Sequence, residues 1–270
     1  MSPTGWRETP PPPLCCPACG AAITHRGACA GCGRRWGMKA TFPDFVMPET
    51  VGRKDRLLHG VYQGLGRWHD PALKIFMAKV DGTGEAAVRD RIASLFAPLM
   101  PASRLLDVGC GSGGELLSLS RRWPSARLYG VDLSLRMLER GWERTREAGI
   151  RPWLALADAH RLPFPDDSFD GVLHVGAVNN FSDRRRALAE MVRVAKPGAG
   201  LLIVDEQLDG GSPQGLRHRA AFRALTWYDR QPAAPVDELP GNVADVEVTQ
   251  VSRFYYAMRF YKSAHDDRDL

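Results

Sequence analysis

The sequence predicts an α/β fold: a doubly wound, mostly parallel seven-stranded sheet with an antiparallel C-terminal strand, preceded by a small cysteine-rich module. Three observations carry this. Between residues 85 and 206, short apolar runs alternate with amphipathic helical patterns, the pattern of right-handed strand–helix–strand crossovers. Three of those runs end in an aspartate, and a glycine-rich turn follows the first. After Glu206 the alternation stops, and two β-rich runs, Val243 to Val251 and Phe254 to Tyr261, nearly abut, as in an antiparallel hairpin.

The elements follow in order. Met1 to Pro13 is proline-rich and polar without periodicity, and is expected to be disordered or draped over the surface. The next 35 residues hold five of the six cysteines, so the module has a purpose for sulfur. Cys16-Pro-Ala-Cys19 and Cys29-Ala-Gly-Cys32 are two C-x-x-C knuckles nine residues apart, followed by Gly20 and Gly33. Four thiolates with that reach suit a tetrahedral zinc ion, and a fully protein-liganded ion is structural. Residues 15–48 are therefore expected to form a zinc ribbon with Cys16, Cys19, Cys29 and Cys32 as ligands. Two alternatives stay open: Cys15 adjoins Cys16 and could compete as a ligand, although only Cys16 completes the C-x-x-C spacing, and His25, between the knuckles, could replace a cysteine or be a solvated loop residue. In a module this small, metal binding supplies the folding free energy, about 10–16 kcal/mol in zinc-finger peptides. Disulfides would need an oxidising compartment, which nothing in the sequence suggests.

Residues 49–270 are expected to form the second domain. Leu57, Leu58, Val61, Tyr62 and Leu65 give a broken helical pattern, weakened by Gly60, Gly64 and Gly66. Val88, Ile92, Leu95, Phe96 and Leu99 make a core-facing helical stripe. Strand one runs into Asp107, then Gly109-Cys110-Gly111-Ser112-Gly113-Gly114. Glycines there permit a tight strand-to-helix turn and close approach of a ligand to backbone. Gly109, Gly111 and Gly114 also satisfy G-x-G-x-x-G, which alone is a weak dinucleotide signal. Asp107 opposes a pyrophosphate at that helix N-terminus, which argues against NAD and a dehydrogenase. A cofactor carrying an ammonium and a sulfonium suits the acid, which points to S-adenosylmethionine. Arg127 to Asp132, Trp153 to Ala159, Phe169 to Val175 and Leu201 to Glu206 read as the next four strands, the last after a turn at Lys196-Pro197-Gly198. Leu135, Leu138 and Trp142, then Leu188, Met191, Val192 and Ala195, supply intervening helices. Asp107, Asp132 and Asp158 thus stand at three strand ends, and ligands of open α/β sheets bind outside those ends.

Together LLDVGCGSGG, YGVDLS, LADAHRLPFPDDSFD and ALAEMVRVAKPG followed by LLIVDE resemble the class I S-adenosylmethionine-dependent methyltransferases, over roughly residues 85 to 206. Within that class the chain is most similar to enzymes of quinone and natural-product biosynthesis. One departure is Lys196-Pro197-Gly198-Ala199-Gly200, where the family has adjacent glycines. The resemblance implies a Rossmann-like sheet and C- or O-methylation of a small molecule such as a quinone or polyketide. It implies that Asp107, Gly109 and Gly111 hold the methionine part and that Asp132 takes the ribose. Leu133 and Met137 would lie against the adenine, Asp158 and Ala159 would read its edge, and His174 would contact the amino group through backbone. It also implies a lid from residues 49–84, with Tyr62, Trp68 and His69 as candidates, and a substrate-side insertion at residues 207–240. His174, Tyr62 and His69 are the catalytic candidates; an unperturbed histidine suits proton removal near neutrality. Glu206 is a weaker base candidate.

Hydrophobic content of 44% and charged content of 25% are those of an ordinary globular chain, and no apolar run approaches the roughly 20 residues of a membrane span. With no signal-peptide pattern, the expected location is the cytoplasm. Ribosomal RNA guanine methyltransferases share the plan of a zinc module before a class I domain, so RNA is an alternative partner. Against it, residues 1–50 hold five Lys/Arg and three Asp/Glu, too sparse for a basic stripe. Arg184-Arg185-Arg186 reads as a solvated helix face. A non-catalytic cofactor-binding scaffold is the third alternative.

Overall fold

Every β-rich run of the second domain enters one sheet. The computed structural model describes residues 9–24, 27–57, 60, 84–96, 99–211, 213, 215–226, 229 and 231–264. Five parallel strands form the centre: β3 (Arg104–Val108), β4 (Arg127–Asp132), β5 (Trp153–Leu156), β6 (Phe169–Val175) and β7 (Ala195–Glu206). The hairpin is β8 (Val243–Gln250) with β9 (Tyr255–Lys262), and β9 runs antiparallel beside β7. Two short strands precede them in sequence, β1 (Gly37–Lys39) and β2 (Phe42–Asp44). The order across the nine-stranded sheet is β1-β2-β5-β4-β3-β6-β7-β9-β8.

The expected seven strands are therefore present, and β1 and β2 extend the sheet beyond them. These two come from the range assigned to the ribbon. They are three residues each, too short for a period-two pattern, and Pro43 sits inside the second. The strand expected over Trp153 to Ala159 stops at Leu156, because the chain turns at Asp158. Lys196-Pro197-Gly198 does not precede β7 but lies within it. Phe169 pairs with Ala195 and Gly171 with Gly200, so the turn is accommodated as a bulge, with Gly198 at φ +75°.

Apolar residues alternate across the strands and build a core on each face. One face packs Leu105, Leu128 and Leu173 under α1 (Glu85–Leu95), α2 (Gly114–Arg122) and α3 (Leu135–Glu147). The other packs Leu106, Val131 and Val172 under α4 (Arg184–Val194). Ser134 caps α3 and Asp183 caps α4, each accepting from a first-turn N–H. A further helix, α5 (Leu216–Leu225), lies in the insertion and buries only Phe222. The β5–β6 crossover, residues 157–168, contains no helix. The surface beside it is covered instead by the cysteine module, whose Leu14, Ile23 and Trp36 pack on the α4-side core. Residues 9–14 are draped along the domain, with the Thr9 N–H on the Arg151 carbonyl at 3.1 Å.

The order in which strands are laid down reverses between the parallel neighbours β3 and β6, with crossovers leading outward to β4–β5 on one side and to β7 on the other. Open α/β sheets leave a crevice at such a switch point, outside the strand carboxyl ends.

Candidate functional site

At that crevice the β3–α2 turn is shaped by backbone that only glycine adopts readily. Gly109, Gly111 and Gly113 have φ of +72°, +50° and +74°. A Cβ on Gly109 would lie 3.3 Å from the His174 ring, one on Gly111 3.3 Å from Met137 Cε, and one on Gly113 3.2 Å from Thr145 Cγ2. The turn is thus clamped between β6 and α3, while Gly109 stays exposed and Gly111 half-buried on the open side. Gly109 and Cys110 N–H groups both donate to the Val131 carbonyl, at 2.7 and 3.0 Å.

Asp132, at the end of β4, is half-buried and ties the turn to its own strand. Its Oδ2 accepts from Gly111 N–H at 2.9 Å and its Oδ1 from Ser134 N–H at 2.7 Å. Burial raises its pKa, and those two N–H groups oppose the shift. Each oxygen keeps a lone pair for a further donor. Leu133 is half-buried and Met137 buried beside it. Asp107 is 1% exposed, on the face that packs α1 and α2, and its Oδ2 has no hydrogen-bond partner. Burial pushes its carboxyl well above the usual range, offset in part by Arg89. Arg89 is itself shared between Glu85, at 2.9 Å, and Glu115.

Beyond β5, Asp158 is buried with Oδ1 accepting from the His160 N–H at 2.9 Å and from His160 Nδ1 at 2.6 Å. Its Oδ2 has no partner among the described residues. Ala159 is buried beside it, and the Ala157 N–H donates to the Asp132 carbonyl at 3.2 Å, which sets this segment against β4.

His174, at the strand end where the sequence places it as a base candidate or a packed imidazole, has its side chain 0% exposed beneath the turn. Nδ1 donates to the Val108 carbonyl at 2.6 Å and Nε2 has no partner among the described residues. Burial holds its pKa down at about 4, although the Val108 contact opposes this. Phe181 stacks between two histidines, its ring 5.0 Å from His174 and 5.3 Å from His160. The other catalytic candidates, Tyr62 and His69, lie outside the described residues, as do Trp68 and His25.

Several residues of the site carried no sequence signal. Asp55, 7% exposed in a helical stretch at residues 53–57, accepts from the Ser182 N–H at 3.1 Å and from the Ser182 hydroxyl. Lys54 Nζ donates to the Asn179 carbonyl at 3.2 Å. These contacts clasp the start of the segment expected as a lid to the loop after β6. In that loop Asn179 N–H donates to Asp205 Oδ2 at 2.6 Å. Asn179 Oδ1, Asn180 Oδ1, Asp205 Oδ1 and the Tyr256 hydroxyl are buried without hydrogen-bond partners among the described residues. Arg184 pairs with Glu238 at 2.5 Å and Arg186 Nε donates to the His160 carbonyl at 2.9 Å, so two of the three arginines expected as a solvated face hold structure together.

The four knuckle cysteines come together as expected. Their sulfurs all lie within 4.8 Å of one another, with Cys16–Cys32 at 3.7 Å and Cys19–Cys29 at 3.4 Å. Sulfurs about 2.3 Å from a tetrahedral zinc stand about 3.8 Å apart, so the donor set fits that ion and is far from disulfide length. Gly31 and Cys32 N–H groups point at Cys29 Sγ, at 3.3 and 3.4 Å, and the Cys32 contact leads in lowering that thiol to about 6. Cys15 is buried, its thiol is pushed up to about 11 by desolvation, and it is not one of the four clustered cysteines.

Comparison with known proteins places this geometry. A family model described as a methyltransferase domain matches residues 106–203. The ubiquinone/menaquinone biosynthesis C-methyltransferase UbiE of Bordetella avium is 37% identical over 110 residues, 40% of this chain and 43% of the relative. Methyltransferase GfsG of Streptomyces halstedii is 34% identical over 179 residues, 62% of each chain. This chain spans about half the length of the curated relatives it matches. Among solved structures, the [4+2]-cyclase SpnF superposes with a TM-score of 0.59 at 18% identity, covering 80% of this chain and 98% of that one. Phosphoethanolamine N-methyltransferase 2 of Haemonchus contortus, bound to S-adenosyl-L-methionine, superposes at 0.54 and 17%, covering 70% and 60%. Those two likenesses speak to fold alone. The acid-ended strands and the glycine turn fall within the matched segment, so residues 106–203 are similar to a methyltransferase domain of the class I S-adenosylmethionine-dependent type.

Proposed function

We propose that this protein methylates a small molecule, at carbon or oxygen, in the manner of quinone and natural-product methyltransferases. The observation that carries the reading is the convergence of the glycine turn with Asp132 and Asp158 at adjacent strand ends, inside the matched segment. When bound, S-adenosylmethionine supplies an electrophilic methyl group on a sulfonium leaving group. Exposed Gly109 and half-buried Gly111 offer backbone to its methionine part, and Asp107 is assigned to the same end of the cofactor, beneath them. Asp132 accepts from the ribose hydroxyls with lone pairs its N–H partners leave open. Leu133 and Met137 flank the adenine, and Asp158 Oδ2 and the Ala159 backbone meet its edge.

His174 is assigned to holding the turn through Val108. A buried imidazole with a pKa near 4 is a weak base at neutral pH. The acceptor is assigned to the loop after β6, the segment at residues 49–84 with Tyr62 and His69, and the insertion at residues 207–240. Unpartnered buried groups on Asn179, Asn180 and Asp205 suit an acceptor that carries hydroxyl or amine donors. The cofactor held there would supply the methyl group to the acceptor atom, whose proton would leave to water. Zinc on the four cysteines is assigned a structural role. Among the described residues no helix is long and apolar enough to cross a membrane.

Two measurements test this. Calorimetry is expected to give micromolar binding of S-adenosylhomocysteine and none of NAD, with binding lost in Asp132→Ala. Methyl-labelled cofactor incubated with lysate is expected to label an organic-soluble small molecule; label in RNA instead would transfer the assignment to the nucleic-acid alternative.

A further inference from the structure

The assigned adenine contact has a partner that the proposed reading does not use. Asp158 closes its own turn: the Arg161 N–H donates to the Asp158 carbonyl at 2.9 Å, and Oδ1 receives both the N–H and the ring Nδ1 of His160. Those two donors, at 2.9 and 2.6 Å, come from one residue two positions on, so they fix the carboxyl plane and occupy one oxygen. The ring that does this is held in turn. It stands edge-on to Phe181 at an interplanar angle of 62°, and Arg186 Nε donates to the His160 carbonyl at 2.9 Å, anchoring its backbone to α4. Asp158 is 3% exposed and Oδ2 has no partner among the described residues, so the side chain presents one buried acceptor that they leave unfilled.

We infer that His160 is a positioning residue for adenine recognition: its ring N–H fixes Asp158 so that Oδ2 alone meets the exocyclic amine of an adenosyl ligand. This rests on the assignment of Asp158 to the adenine edge. An untethered carboxyl can rotate to offer either oxygen or neither, and its preference for a donor in one place weakens. A tethered one discriminates: adenine puts an amine donor there, whereas hypoxanthine puts a carbonyl oxygen facing a buried acceptor, which leaves both unsatisfied.

The test is calorimetry of the full chain with S-adenosylhomocysteine and its hypoxanthine counterpart, S-inosylhomocysteine. The wild type is expected to prefer the adenosyl ligand on the order of 100-fold, the scale of an unsatisfied buried group. His160→Leu is expected to weaken S-adenosylhomocysteine roughly tenfold and cut the preference by a similar factor. His160→Asn places an amide nitrogen where Nδ1 stood and is expected to restore both to within about threefold. His160→Gln places its amide nearer the Nε2 position and is expected not to restore them. The Asn and Gln pair keeps the test decisive if the Leu variant fails to fold, because a merely structural role would not separate them. A preference lost in Asp158→Ala but intact in His160→Leu, or restored equally by Asn and Gln, overturns this inference alone. A wild type without preference, or a preference untouched in Asp158→Ala, overturns the adenine assignment and this inference with it.

Discussion

His174 shows how a residue's chemistry is set by where its ring is placed. In an unfolded chain it titrates near 6.5; in the fold, burial takes it to about 4. Between those values the unfolded state binds more protons, so folding stability from this group is complete above about 6.5 and is lost as pH falls through 4. From pH 7 to pH 4 the wild type is expected to lose about 3 kcal/mol that His174→Asn does not lose, read as the change in their difference in denaturant unfolding. A constant difference across that range would mean the ring is not buried in its neutral form. The sequence marked His174 by its place at a strand end but could not say which way the ring turns. Alternation along β6 fixes which face of the sheet the side chain takes and does not distinguish a histidine facing the turn from one facing solvent. Likewise Asp158 was legible as an acid after a strand. Its partner His160 was not, because an Asp-x-His spacing becomes a two-point contact only when the chain folds back at that position. Asp55 lies 127 residues from Ser182, and no local pattern announces such a pair.

At the scale of elements, local pattern carried most of the sheet. β4 and β6 begin and end at the residues read from the sequence, since each is an apolar run bounded by charged or turn residues. β7 begins earlier than expected because Lys196-Pro197-Gly198 punctuates the sequence without ending the pairing. The β3–α2 turn was legible as a cluster of glycines, and the structure assigns them different tasks. Gly109 is exposed, whereas Gly113 is buried against α3, with Gly141 Cα 3.4 Å from where its Cβ would lie. Gly113→Ala therefore combines left-handed backbone strain with a close contact to a helix that cannot recede, because Gly141 is itself backbone there. A cost of about 1–3 kcal/mol is expected. For a chain of this size that is a fall of roughly 2–12 °C in the unfolding midpoint, measurable by calorimetry. An unchanged midpoint would show that α3 gives way and that the turn is not clamped as described.

Across the whole molecule, the cysteine module behaves as part of the sheet. The sequence read it as a separate ribbon, because C-x-x-C spacing reports a metal site and says nothing of what the site leans on. Leu14, Ile23 and Trp36, scattered through it, pack on the α4-side core. β2 pairs beside β5, with the Phe45 N–H on the Leu156 carbonyl at 2.9 Å. The Cys15 N–H donates to the Pro163 carbonyl at 3.0 Å, and Arg161 Nη1 to that of Pro17 at 3.4 Å. The last two contacts fall in the segment that carries Asp158 and His160, so the metal centre and the proposed adenine site share one stretch of backbone. If zinc organises the module, its removal should be felt at the cofactor. Chelation under reducing conditions is expected to lower the unfolding midpoint, change the emission of Trp36, which packs on Phe45 at 5.8 Å, and weaken S-adenosylhomocysteine roughly tenfold, about 1.4 kcal/mol. Added zinc should reverse all three. The same titration on Cys29→Ser, which lacks one ligand, should show the weakened state from the start. Loss of metal with cofactor affinity unchanged would mean that β2 and the 161–163 contacts hold without the ion, and that the module serves a partner and not the adenine site.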